Sequence, residues 1–134
     1  MTENFSSQAL GFVNIIDPVI GHGIPVRYDV FVSALFKSDT RVQQLNHAAL
    51  GVCGEAGELA DAIKKHVHYG KEIDIDNVVE ELGDLRFYIQ AVQNLFGITE
   101  QHILQYNAQK LEKRYQGLVY SDQAAIARAD KKEI

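Results

Sequence analysis

From residue 40 onward, apolar residues recur every three or four positions over long stretches, the period of an α-helix with one face turned inward. Three such stripes stand out. The first is Leu45, Ala49, Val52, Ala56, Leu59 and Ile63; the second is Val78, Leu82, Leu85, Ile89, Val92 and Phe96; the third is Leu104, Ala108, Leu111, Tyr115 and Leu118. Helix ends can be read beside them. Thr40 suits an N-cap and Gly70 a C′ position, which predicts one long helix between them. Lys71–Ile73 then forms a turn, Asp74 or Asp76 caps a second helix that stops at Gly97, and Thr99 caps a third reaching about Gln116. A short helix is expected over Tyr28–Lys37, ended by Ser38-Asp39-Thr40. Alternation with a period of two is weak throughout. The fold class is therefore all-α, a helical bundle of antiparallel helices with short connections.

The start of the chain differs. Both prolines, Pro18 and Pro25, and the glycines Gly11, Gly21 and Gly23 fall in the first 25 residues. Residues 1–27 are expected to form an irregular N-terminal arm whose apolar residues (Phe12, Val13, Ile15, Ile16, Val19, Ile20) pack on something. Residues 28–120 form the helical domain, and 121–134 a charged, alanine-rich C-terminal tail. A chain of 134 residues suits one such domain.

Polar residues become informative once placed against the stripes, at about 100° per residue. Glu55, Glu58 and Lys65 lie to one side of the first stripe. Asn77, Glu81, Asp84 and Tyr88 lie to the same side of the second, and Asn107, Lys110 and Arg114 to that side of the third. The pairs Glu55/Glu58 and Glu81/Asp84, each spaced i,i+3, can meet across an antiparallel helix pair. Lone flank carboxylates are usually just solvated. Four gathered together repel one another, and a divalent cation among them turns that repulsion into attraction. Oxygen-only ligands suit Mg²⁺, with Mn²⁺ also possible. Glycines are interleaved with these acids at Gly54, Gly57 and Gly83, each costing about 1 kcal/mol relative to alanine inside a helix. Such residues are kept where another backbone or a ligand comes close.

Composition narrows the class further. Thirteen Lys+Arg against 18 Asp+Glu give a net charge of −5, which disfavours a broad footprint on a nucleic-acid polymer. One cysteine, Cys53, allows no intrachain disulfide and fits a reducing, cytoplasmic setting. No apolar run approaches the ~20 residues of a membrane span, and the opening MTENFSSQAL lacks the features of a signal peptide.

The acidic blocks, G-E-A-G-E-L-A-D-A-I-K-K (Gly54–Lys65) and E-E-L-G-D-L-R-F-Y (Glu80–Tyr88), resemble those of the MazG-like all-α nucleoside triphosphate pyrophosphohydrolases. That family carries E-x-x-E, a gap of about two dozen residues, then E-x-x-D; here the gap is 22 residues. The resemblance continues through N-A-Q-K-L-E-K-R-Y (Asn107–Tyr115) and more faintly to Arg128. Gln116-Gly117-Leu118 departs from the usual Pro-x-Gly-Phe. The resemblance implies Mg²⁺-dependent hydrolysis of (deoxy)nucleoside triphosphates between the α and β phosphates, in a homodimer or homotetramer. It implies Glu55, Glu58, Glu81 and Asp84 as metal ligands. Lys65, Lys110 and Arg114 would neutralise phosphate oxygens, and Asn107 would hydrogen-bond the nucleotide. Apart from the resemblance, the chemistry asks one of the four acids to accept the water proton; Glu58 is the candidate chosen among them, with Glu81 as the second catalytic candidate.

Other chemistries fit less well. His22, His47, His66, His68 and His102 form neither H-E-x-x-H nor E-x-x-H, against a zinc protease or di-iron bundle. His47, two turns before Glu55, is a candidate to line the pocket. Cys53 has no basic neighbour to activate it. A phosphoribosyl-ATP or dUTP-specific pyrophosphatase of the same superfamily remains open, as does a helical binding module without catalysis.

Overall fold

The computed structural model describes residues 11–131. It is mostly helical, as the stripes predict. Two strands, β1 (Phe12–Ile16) and β2 (Gly23–Arg27), precede the helices α1 (Tyr28–Leu35), α2 (Arg41–Tyr69), α3 (Ile75–Phe96), α4 (Glu100–Arg114) and α5 (Asp122–Ala127). Short 3₁₀ turns lie at Gln116–Leu118 and Ala129–Lys131. Two compact units divide between Phe96 and Gly97.

The helix termini follow local chemistry. The Thr40 side chain accepts from Gln43 N at 3.3 Å, and α2 ends at Gly70 with φ 63°. Asp74, rather than Asp76, caps α3, its carboxylate accepting from Asn77 N at 3.0 Å. Thr99 caps α4 through His102 N, and Gly97 supplies the left-handed turn before it. α1 stops two residues earlier than expected, because Phe36 is extended (φ −68°, ψ 131°) and swings its ring toward α2.

Within the N-terminal arm, residues 12–27 carry a small two-stranded sheet; residues 1–10 of that arm lie outside the described residues. β1 and β2 pair antiparallel with Val13 opposite Val26 and Ile15 opposite Ile24. These four β-branched residues are half-buried while their neighbours are exposed, an alternation too short to register against the prolines and glycines. Pro18 and Gly21 mark the hairpin turn between the strands. Asp17 Oδ1 accepts from Val19 N and Ile20 N, and Gly21 takes the left-handed conformation. Pro25, lacking an N–H, is tolerated because the ribbon has only edge strands. Tyr28 N donates to Gly11 O at 2.6 Å, closing the hairpin onto α1.

In the first unit, α2 and α3 run antiparallel through the five-residue connection 70–74, and α1 packs on α3. The core is small: Val32, Ala48 and Ala91, with Tyr28, Phe31, Phe36, Phe87, Val92 and Leu95 around them. A further hydrogen bond, Asn94 Nδ2 to Asp29 O at 2.9 Å, fastens α3 to α1. The inward face of α2 is rotated from the predicted stripe. Ala48 and Ala62 are buried, while Ala49, Ala56 and Ile63 are exposed. Small residues let the two helices approach closely, so the seam follows Ala48, Gly51, Glu55, Leu59 and Ala62.

In the second unit, α4 is followed by segment 115–131, with Ser121 capping α5 through Ala124 N. The tail expected over 121–134 is thus a short helix and a 3₁₀ turn as far as Lys131; 132–134 lie outside the described residues. No α4 residue is fully buried, and Leu104 and Leu118 of the third stripe are exposed.

Candidate functional site

Rotating the seam changes the standing of the acids. Glu55 lies not on a flank but in the α2–α3 contact, and Glu81 and Asp84 meet it from α3. One ligand oxygen from each of the three lies within 4.8 Å of the others. Glu55 and Glu81 are half-buried and Asp84 is exposed, so the cluster opens to solvent on one side.

The electrostatics match that crowding. The Glu81 carboxyl is pushed up from its ordinary value, first by desolvation and then by the charges of Glu58, Glu80, Glu55 and Asp84. Glu58 is exposed and stands outside the close trio, yet its charge reaches Glu81. Three carboxylates within reach of one ion, one of them reluctant to ionise, form an all-oxygen donor set of the kind a hard divalent cation takes. The residues fit such an ion.

One turn beyond the acids, α2 and α3 are in close contact. A Cβ added at Gly51 would overlap the ring of Tyr88, so the absence of a side chain at 51 creates the seat for that ring. Gly51 precedes Glu55 by four residues and Tyr88 follows Asp84 by four, so this contact sets the spacing of the helices at the cluster. Tyr88 meets His47 edge-on with ring centres 5.6 Å apart, and His47 stacks on Phe36 at 4.9 Å. His47 therefore belongs to an aromatic wall beside the acids. A cavity of about 180 Å³ adjoins it, lined by Ser33, Phe36, Gln44, Ala91, Asn94 and Leu95.

Glycine chemistry at the acids themselves takes another form. Nothing among the described residues lies within 4 Å of a Cβ built at Gly54, Gly57 or Gly83. No backbone among the described residues approaches them, so the glycine pattern marks open surface there beside the carboxylates. Gly51, the one helical glycine with a close approach, escaped the sequence reading because it stands four residues before the acidic motif.

The cations are placed as follows. Lys65 Nζ lies 2.8 Å from Asp61 Oδ2, a partner that the sequence reading missed although the i,i+4 spacing allows it. Its ammonium is raised chiefly by Asp61 and to a lesser degree by Glu58 and Glu81, so Lys65 lies in the field of the acids. Asn107, Lys110 and Arg114 lie on α4 in the second unit, at i, i+3 and i+7 along one face. Asn107 is exposed and Lys110 half-buried. Arg114 is engaged by Asp130. Among the described residues, no helix is long and apolar enough to cross a membrane.

With this geometry in hand, known proteins provide a comparison. A family model described as MazG nucleotide pyrophosphohydrolase domain matches residues 43–119, more than half of the chain. The Gene 37 protein of Mycobacterium phage L5 is 29% identical over 77 residues, covering 54% of this chain and 68% of that protein. No solved structure matches the chain.

Proposed function

The chain belongs to the MazG nucleotide pyrophosphohydrolase family, and from that premise we propose that it hydrolyses (deoxy)nucleoside triphosphates between the α and β phosphates, releasing monophosphate and pyrophosphate. The observation that supports this most is the convergence of Glu55, Glu81 and Asp84 on one point across the α2–α3 seam. In this reading the three hold Mg²⁺ or Mn²⁺, with Glu58 as a fourth carboxylate. Once bound, the cation supplies positive charge and Lewis acidity to the triphosphate and to the attacking water.

The remaining roles fall to side chains of the chain. Glu58, the more exposed acid, accepts the proton of the attacking water. Glu81, whose charge is hardest to sustain alone, gains most from a cation and anchors the site. Lys65, Lys110 and Arg114 take phosphate oxygens, Asn107 hydrogen-bonds the nucleotide, and fixed donors of this kind stabilise charge as it shifts onto the leaving pyrophosphate. The protein's net charge of −5 repels a polyanion at long range, so capture depends on the cation and these local donors.

Two further features belong to this reading. Val42, Leu50, Val67, Val79 and Phe96 are each more than half exposed. Apolar surface on that scale favours self-association as a homodimer or homotetramer. A single exposed thiol, Cys53, suits a cytoplasmic enzyme acting on the nucleotide pool.

Comparison of wild type with Glu81→Gln, each assayed in Mg²⁺ and in EDTA, tests the site. Wild type should turn over only with the metal, and the variant should lose roughly 10²–10³-fold in kcat while keeping its helical circular dichroism. Wild-type turnover by the variant would remove Glu81 from the metal site.

A further inference from the structure

In the second unit, one ion pair fastens the C-terminal segment to α4. Arg114 donates from Nε to Asp130 Oδ1 at 2.6 Å and from Nη2 to Asp130 Oδ2 at 2.9 Å. The side chains are 17% and 1% exposed, respectively. The carboxyl of Asp130 is held down to about 2, first by its hydrogen bond to Arg114, and the guanidinium is raised in turn. The chain reaches this contact through Arg128, a non-glycine residue in the left-handed conformation with φ 45°, which side-chain-bearing residues seldom adopt.

Stability alone is a weak reason for such a pair. Desolvating two charges offsets much of their attraction, and apolar residues of similar volume do as well. What the pair supplies is orientation. An unrestrained arginine samples many rotamers, but a two-point carboxylate contact fixes the plane of the guanidinium. Asp130 engages its Nε and Nη2 edge, while the ring of Tyr115 lies 5.9 Å from the guanidinium carbon. Of five N–H donors, two go to Asp130 and Tyr115 makes a further side-chain hydrogen bond to the guanidinium, so those left over are held in set directions. Arg114 itself stands on the helix face that also bears Lys110 and Asn107, at i+7, i+3 and i.

We propose that Asp130 is a positioning residue, which fixes the Arg114 guanidinium so that its remaining N–H groups receive phosphate oxygens of the nucleotide. Segment 121–131 is then part of the anion-binding apparatus rather than an appended tail. The inference rests on the pyrophosphohydrolase reading, in which Arg114 is a phosphate partner.

Steady-state kinetics on the full chain with Mg²⁺ and a turned-over nucleoside triphosphate test it, using Asp130→Asn, Asp130→Glu, Arg114→Ala and the double variant Arg114→Ala/Asp130→Asn. Asp130→Asn, nearly isosteric, should raise KM about tenfold with kcat little changed, within the range for loss of an orienting partner. Asp130→Glu should recover part of this, and Asp130→Asn should add nothing once Arg114 is alanine. An unchanged KM with a lowered Tm would make the pair a structural fastening only and overturn the proposal. A lowered KM would overturn it too, showing that the carboxylate competes with substrate. An equal KM effect in the Arg114→Ala background would mean that Asp130 does not act through Arg114. If wild type turns over but Arg114→Ala matches it, the role of Arg114 fails and the proposal with it. Absence of wild-type turnover would instead overturn the underlying function.

Discussion

At the scale of single residues, Glu81 concentrates the electrostatic problem. It is half-buried and surrounded by Glu55, Glu58, Glu80 and Asp84, and its carboxyl is raised above the ordinary range. A carboxyl raised on folding binds its proton more tightly in the native state. Its unfavourable contribution is therefore complete above the folded pKa and relieved as pH falls through it. In EDTA at neutral pH, Glu81→Gln should melt at a higher temperature than wild type, because the substitution removes charge from the cluster. Added Mg²⁺ should raise the Tm of wild type and leave the variant nearly unmoved. Thermal melts of both proteins with and without metal check this; a variant that melts lower in EDTA and keeps the full metal response would contradict the electrostatic account. Much of this was legible beforehand: the i,i+3 acids and their helix phase are visible in the sequence. Asp61 and Asp130, the partners of Lys65 and Arg114, were not singled out. Asp61 is one of many charges in its helix, and Asp130 meets Arg114 only because the chain folds back after α5.

At the scale of elements, the α2–α3 seam governs the spacing of the carboxylates, and Gly51 sets how near the helices come. A methyl at 51 strikes the root of the Tyr88 ring rather than a flexible tip. Gly51→Ala should therefore cost about 1–3 kcal/mol by overpacking and lower metal affinity by spreading the acids. By contrast, Gly54→Ala, Gly57→Ala and Gly83→Ala meet open space, and each should gain up to about 1 kcal/mol from helix propensity. Denaturant melts of the four variants separate these cases; equal effects at Gly51 and Gly54 would refute the seam argument. Caps and stripes made α2, α3 and α4 readable from sequence, because Thr40, Gly70, Asp74, Gly97 and Thr99 act locally. The rotation of α2 was not readable. Its stripe by hydrophobicity runs through Ala49 and Ala56, whereas the packed face is chosen by small size at Ala48, Gly51 and Ala62. The hairpin was missed for a related reason: Val13, Ile15, Ile24 and Val26 pair only across strands, over windows of five residues.

At the scale of the molecule, the described chain buries few large side chains; its buried apolar residues are Val32, Ala48, Ala62 and Ala91. The exposed residues Val42, Leu50, Val67, Val79 and Phe96 are those an assembly would cover. Light scattering coupled to size exclusion should give a mass of two or four times 15.0 kDa; a monomer at micromolar concentration would contradict self-association. The central claim concerns chemistry, and the position of the broken bond tests it most directly. Incubation of the protein with a panel of canonical and modified nucleoside triphosphates in Mg²⁺, each with an EDTA control, should yield nucleoside monophosphate and pyrophosphate in equal amounts, and neither in EDTA. Diphosphate with orthophosphate, or no turnover of any nucleotide together with no metal binding by titration, would contradict the account.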